Sequence, residues 1–471
     1  MAAKSYQART SMRRMLADTI TPVSIYLRLR DVYPGSVLLE GNDFADAGSS
    51  FSYICCAPLA QFKVSGRTVD IRRPNGETEQ RELAAPRDAV SELQQFVDSF
   101  VPDPAVKAQC ISNGLFGYCS YDAAEYFESI SFSSERDERD IPAMLYTAYR
   151  FVIAINHFKN EMYLFEHNYS GSKAGEESLE ELAYLINNKD FAEYSFSTSK
   201  LEESNLSDSE FVESVREGIR HVHRGDVFQL VLSRCFSTEF KGDEFNVYRA
   251  LRSINPSPYL FYFDCGSFKI FGSSPESQLV VEEGRAMINP IAGTFRRSGD
   301  ADKDKRLGEE LENDPKENAE HVMLVDLARN DLSKHCDSVE VDRYREVHFF
   351  SHVIHLVSEV SGKLSRGVQA AQIAADTFPA GTLTGAPKYR AMELIDQYEK
   401  GRRSFYGGSI GFIGFNGDYK HAIVIRSLLS KNNVLYYQAG AGIVADSEPE
   451  KELNEVNNKL AALRAALVHA S

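Results

Sequence analysis

The chain is expected to fold as an α+β protein, and three observations say so. Strand-like segments are grouped, with helices appended rather than alternating one for one, which argues against a βαβ series. No segment repeats at a fixed period, so a solenoid or propeller is not indicated. Neither nucleotide fingerprint of doubly wound folds is present. Pro379-Ala-Gly-Thr-Leu-Thr-Gly-Ala-Pro-Lys388 lacks the GK[ST] of a Walker loop, and Tyr406-Gly-Gly-Ser-Ile-Gly411 is not GxGxxG.

In chain order, Val23 to Leu29, Ser36 to Glu40 and Ser52 to Cys56 read as strands. Ala89 to Val101 carries helical spacing. Tyr149 to Asn156 and Glu161 to Phe165 are strands joined by a hairpin through Asn156-His-Phe-Lys-Asn160. Ser195 to Ser209, rich in Ser, Glu, Asn and Asp, reads as a linker. It ends in a helix start, where Ser207 or Asp208 can cap, and Phe211, Val215, Ile219 and Val222 recur at helical spacing. Further strands are expected at 227–232, 259–263, 268–271 and 279–281. Helices follow at 304–311, 319–332, 370–377 and 387–398. Strands at 408–415, 421–429 and 434–439 precede a final helix over 449–469. The linker divides the chain into parts 1–205 and 206–471, expected to interleave in one compact unit.

The 471 residues set a soft prior of about three domains, and two large ones fit it equally. A net charge of −16 lacks the basic footprint of a nucleic-acid binder. The seven cysteines are scattered without CxxC spacing, which reads as a reduced, cytoplasmic chain with no zinc or disulfide framework. No apolar run reaches the length of a membrane helix. The basic residues up to Arg14 are not followed by an apolar core, so a secretory signal is not expected. A disordered or docking arm is the default reading for them.

Chemistry concentrates in the second part. Gly440-Ala-Gly442 ends an apolar strand with small residues that let a ligand approach the backbone. The following helix carries Glu452 and Glu455 on one face, with Lys459 a turn beyond. Taken alone, that face is more simply explained as a solvated acidic helix, since charged helical faces are common. Glu317 and Glu320 repeat the same i, i+3 spacing, where the bland explanation is acids favouring a helix N-terminus. Two such pairs, if they face each other, suit Mg²⁺, which takes one or two carboxylates, waters and a substrate oxygen. Gln229 is an amide in an apolar strand: it needs partners if buried, or lies exposed on an edge. A histidine in an apolar run, such as His355, is more often a core residue than a catalyst. Arg426 in an apolar strand requires either an internal partner or a ligand carboxylate matching its fork.

Several segments occur together in an order that resembles the chorismate-utilising enzymes, most closely the large subunits of anthranilate synthase. They are Phe228-Gln-Leu-Val-Leu-Ser-Arg234, Ser274-Pro-Glu276, Pro290-Ile-Ala-Gly-Thr294, Ala319-Glu-His-Val-Met-Leu-Val-Asp-Leu-Ala-Arg-Asn-Asp331, Gly381-Thr-Leu-Thr-Gly-Ala-Pro-Lys388 and Gln438-Ala-Gly-Ala-Gly442. The resemblance implies two packed, mainly antiparallel sheets flanked by helices. It implies Mg²⁺ held by Glu320 and Glu455, with Glu317 and Glu452 holding its waters. Gly293, Thr294, Tyr406, Arg426, Gly440, Ala441, Gly442 and Lys459 are then the chorismate contacts. Glu276 is the implied acid, with His355 and Thr382 assisting. Gln229 stands where water-adding members carry a lysine base, and Ala292 stands where aminodeoxychorismate synthases carry a lysine nucleophile. Both point to ammonia as nucleophile and anthranilate as product, in tryptophan biosynthesis.

The ammonia is implied to come from a separate glutaminase subunit, hence a hetero-oligomer, because Gly117-Tyr-Cys-Ser-Tyr121 lacks the glycine-flanked nucleophile turn. The resemblance also implies feedback by L-tryptophan between Leu39-Glu40-Gly41 and Pro258-Tyr259-Leu260, with Gly41 replacing the family's serine. The alternatives are an aminodeoxychorismate or aminodeoxyisochorismate synthase and, outside catalysis, a tryptophan-sensing regulatory subunit.

Overall fold

The computed structural model describes residues 5–41, 50–107, 110–133, 135, 137–172, 178–199, 201–349 and 353–471. Two long strands, Phe51–Ser65 and Met144–Asn156, pair antiparallel along most of their length and run through both of its sheets.

On one side of this pair the ladder continues through Val37–Gly41, Tyr259–Asp264, Phe268–Ser274, Ser427–Lys431, Val434–Ile443 and Gln229–Gly242. On the other it passes through Gly114–Cys119, Ser409–Gly414, Tyr419–Ile423, Ser277–Glu282, Arg285–Ile288 and Val353–Leu364 to Cys336–Phe349. The pairing is antiparallel except where Tyr6 and Gln7 meet Phe100 and Val101. Each sheet therefore contains strands from both parts of the chain.

The sheets pack face to face through Phe51, Phe116, Tyr118, Phe261, Phe263, Ile270, Phe412 and Leu429. The outer face of the first sheet is covered by helices Pro22–Leu29, Asp208–Arg224, Phe245–Ile254 and Pro449–Ala470. The outer face of the second is covered by Asp88–Asp98 and Ala370–Thr377. Met144–Asn156 is buried at every position because both its faces are covered. The implied two-sheet α+β architecture is thus present. Among the described residues, no helix is long and apolar enough to cross a membrane.

Four segments depart from the sequence reading. Residues 22–29 are helical, not extended. Their apolar alternation mimics a strand, but Thr21 forms a capping box with Ser24, and Pro22 starts the first turn. Tyr6–Leu16 is a strand paired along Glu161–Tyr169, not a loose arm, and its arginines sit on an exposed edge, where charge is normal. The supposed linker contributes two short strands, Phe196–Thr198 and Glu203–Ser204, to the edge of Gln229–Gly242. The strand expected at 421–429 is two strands in different sheets, Tyr419–Ile423 and Ser427–Lys431, with a crossing between them.

Candidate active site

The crossing at 424–426 brings the two sheets to one place. Arg426 there adopts φ 49°, a left-handed conformation that few non-glycine residues hold. It lies at a strand break rather than within a strand. Its guanidinium makes no ion pair or side-chain hydrogen bond with the described residues, and burial depresses its pKa. The nearby Glu276 carboxyl favours its charge, as the same cation opposes charging of His355.

Glu276 sits between Phe268–Ser274 and Ser277–Glu282. Desolvation pushes its carboxyl up to about 7, against the opposing effects of the Thr382 hydroxyl, Arg426 and Lys459. Thr382 Oγ1 donates to its Oε1 at 3.1 Å, from the one-turn helix Gly381–Thr384. A carboxyl protonated near neutrality beside two cations is equipped to deliver a proton.

His355, on Val353–Leu364, is buried, and its Nδ1 lies 2.7 Å from the Gly293 carbonyl, so Nδ1 carries the hydrogen. Desolvation lowers its pKa to about 4, which keeps Nε2 unprotonated at neutral pH. Gly293 and Thr294 fall where the pairing register shifts between Ala292 and Phe295, a bulge that reaims the strand. Gly293 has φ 67°, and a Cβ there would stand 3.1 Å from Glu317 Oε2. The Thr294 side chain lies outside the described residues.

Gln229 is buried, and its Nε2 donates to Glu320 Oε1 at 3.4 Å. The edge-exposed alternative is thereby excluded. The same Nε2 is 2.8 Å from where a Cβ on Gly442 would lie, so this glycine makes room for the amide. Glu317 and Glu320 share helix Pro315–Ser333, where the Asp314 carboxylate accepts the Glu317 N–H at 3.0 Å. Glu455 is half-exposed and pairs with Lys459 at 2.7 Å, while Glu452 is buried. Among the described residues, no three His, Cys, Asp or Glu side chains converge as a ready-made cation site. The donors are nonetheless all carboxylate oxygens, the type that Mg²⁺ takes, and Mg²⁺ needs only one or two of them.

The Val434–Ile443 strand leaves its Ser427–Lys431 neighbour at Tyr437 but stays paired with Gln229–Gly242 through Ile443. Ser233, opposite Gly440, gives its N–H to Glu399, and Val231, opposite Gly442, gives its carbonyl to Arg403. These are non-hydrogen-bonded pairs, so Gly440 and Gly442 turn their own amides to the open side. There the Gly440 carbonyl accepts from Lys459 Nζ at 2.9 Å, and the Tyr406 hydroxyl is hydrogen-bonded to the Gly440 backbone. Ala441 turns its methyl into the helix-facing core.

A model described as chorismate binding enzyme matches residues 46–465. The chain belongs to the chorismate-binding enzyme family. Anthranilate synthase component 1 of Aquifex aeolicus is 36% identical over 99% of this chain and 96% of its own. The same-named protein of Bacillus subtilis is 37% identical over 95% and 89%. Among solved structures, anthranilate synthase component I from Streptococcus pneumoniae aligns with TM-score 0.75 at 32% identity, covering 96% of this chain and 99% of that one. The menaquinone-specific isochorismate synthase of Escherichia coli shares the fold, with TM-score 0.76 at 18% identity over 98% and 95%. As a family member, the chain is a chorismate-utilising enzyme.

The two segments implied for tryptophan are neighbours: Glu40 is opposite Leu260 and Gly41 opposite Tyr259. The Glu40 carboxylate is already engaged by Arg252 at 2.8 and 2.9 Å and by the Tyr248 hydroxyl at 2.6 Å. A Cβ at Gly41 would stand 2.9 Å from the Phe51 carbonyl oxygen. Leu260 is buried, Leu39, Pro258 and Tyr259 are partly so, and residues 42–49 lie outside the described set. Two residues escaped the sequence reading, Glu399 and Arg403. Their i, i+4 spacing on the way out of an apolar helix was the available signal.

Proposed function

We propose that the chain is an anthranilate synthase large subunit, a lyase converting chorismate and ammonia to anthranilate and pyruvate. The observation that carries the reading is Glu276, a carboxyl held near pH 7 by burial and bonded to Thr382, beside Arg426, whose guanidinium makes no ion pair or side-chain hydrogen bond among the described residues. A buried guanidinium with no such bond among the described residues calls for an anion, and chorismate carries two carboxylates.

In this reading Arg426, Lys459, Tyr406 and the amides of Gly440 and Gly442 hold the carboxylates and ring edge, the Gly440 amide being shared with the Tyr406 hydroxyl. Gly293 and Thr294 flank the ring. Ammonia attacks C2 as Glu276 gives its proton to the departing C4 hydroxyl. The C2 proton then leaves and the enolpyruvyl group departs as pyruvate, which aromatises the ring. His355, neutral and oriented by the Gly293 carbonyl, assists this second step with Thr382. Gln229 cannot serve as the lysine base that water addition needs. Mg²⁺ would be held by Glu320 and Glu455, with Glu317 and Glu452 on its waters, and would orient and neutralise the ring carboxylate.

Ammonia is supplied by a separate glutaminase component. Cys119 does not fill that role, since it is buried and its thiol is pushed up to about 12. Tryptophan inhibition is weakened, because Gly41 lacks a hydroxyl for the amino acid. One lost hydrogen bond to a charged group costs about 1.5–3 kcal/mol, or roughly ten- to a hundredfold in affinity. Strong inhibition at low micromolar tryptophan would refute this.

The deciding experiment supplies chorismate, ammonium and Mg²⁺ and follows anthranilate fluorescence and pyruvate. Absence of anthranilate, with or without a glutaminase, would overturn the proposal. Accumulation of an amino product retaining its enolpyruvyl group would favour an enzyme that stops after the first step.

A further inference from the structure

Glu399 and Arg403 form an ion pair whose side chains are 4% and 1% exposed, at the end of helix Lys388–Tyr398, and their hydrogen bonds go to protein groups. Arg403 Nε donates to Glu399 Oε2 at 2.9 Å and Nη2 to Oε1 at 2.6 Å. Its remaining donors reach two site elements: Nη1 to the Leu383 carbonyl at 2.6 Å and Nη2 to the Val231 carbonyl at 2.8 Å. The guanidinium lies over the rings of Tyr121 at 4.8 Å and Tyr406 at 5.6 Å. Glu399 Oε1 also accepts from Ser233 N–H at 2.8 Å and Ser233 Oγ at 2.7 Å. Ser233 Oγ in turn accepts from Gln438 Nε2 at 2.8 Å.

Each tether ends one step from a residue of the proposed site. Leu383 follows Thr382, which bonds Glu276. Val231 and Ser233 stand opposite Gly442 and Gly440. Tyr406 is bonded to the Gly440 backbone. A buried ion pair contributes uncertain stability, because desolvation offsets its Coulomb attraction, so stability alone explains this one poorly. We propose that Glu399 and Arg403 are positioning residues that hold the Thr382 helix, Tyr406 and the open strand edge in one fixed arrangement around Glu276. The planar fork of arginine, which bonds three directions at once, suits that task in a way lysine's point charge does not.

The inference rests on the anthranilate synthase reading, and the wild-type protein separates the two. If wild type makes no anthranilate, the functional reading fails. If wild type is active, a double-mutant cycle judges the positioning role. Arg403→Lys, kept folded by near-ultraviolet circular dichroism criteria, is expected to lower kcat about 10- to 100-fold with KM for chorismate changed less than about threefold. Thr382→Ala is expected to cost about tenfold in wild type but less than about threefold in the Arg403→Lys background, since coupled residues are non-additive. Glu399→Gln is expected to repeat this pattern. Full additivity, a loss explained by the unfolded fraction, or failure of both variants to fold would overturn the proposal and leave the pair purely structural.

Discussion

At the scale of single residues, Glu276 carries the most testable chemistry. Its carboxyl must be protonated to act as an acid, so kcat/KM is expected to fall as pH rises past about 7. Glu276→Gln should lose about 10²- to 10⁴-fold in rate and that alkaline limb with it. The same shift has a stability consequence. The folded protein holds this proton more tightly than the unfolded chain, so the stabilisation is complete below about 4.5 and is lost as pH climbs to about 7. Thermal melts of wild type and Glu276→Gln should therefore diverge in favour of the variant across that window. Gln229→Lys is expected to impair amination, because an ammonium group would replace the amide beside Glu320. An unchanged rate with ammonium would place the nucleophile elsewhere.

At the scale of elements, the site depends on where strands stop. Gly381 starts the turn that carries Thr382, and a Cβ there would run into Leu327 on the carboxylate-bearing helix. Gly381→Ala should cost about 1–3 kcal/mol in chemical denaturation and lower kcat by displacing Thr382. Element boundaries also mark what was readable beforehand. The capping box at Ser207 and the hairpin at 156–161 were legible because their signals are local. The break at Arg426 was not. Ile423, Val424, Ile425, Leu428 and Leu429 flank it with strand-like apolar residues on both sides, so Arg426 and Ser427 read as two polar positions within one strand, whereas the chain passes there from one sheet to the other. Nor was the network of Glu399 and Arg403, since the Leu383 and Val231 carbonyls that Arg403 bonds lie 20 and 172 residues from it along the chain. Site residues at Glu276, Thr382 and Gln229 were identified through a family pattern. Composition and periodicity alone left Gln229 and Arg426 open, because burial decides their meaning.

At the scale of the whole molecule, the proposal requires a partner for glutamine but not for ammonia. The isolated chain, given millimolar-range free ammonium, chorismate and Mg²⁺, is expected to make anthranilate, and to make none from glutamine. Chelating the divalent cation should abolish the signal, and restoring Mg²⁺ should recover it. Turnover of glutamine by the isolated chain would remove the need for a second component.

The two long strands shared by both sheets have a consequence for biosynthesis. Val37–Gly41 must wait for Tyr259–Asp264, and Gly114–Cys119 for Ser409–Gly414. A nascent chain therefore leaves the ribosome with unsatisfied sheet edges until its last strands emerge, and such edges invite wrong pairing. Sequence-distant contacts also make refolding slow. Expressed separately, residues 1–205 and 206–471 should each aggregate, whereas co-expressed halves can complete each other's sheets.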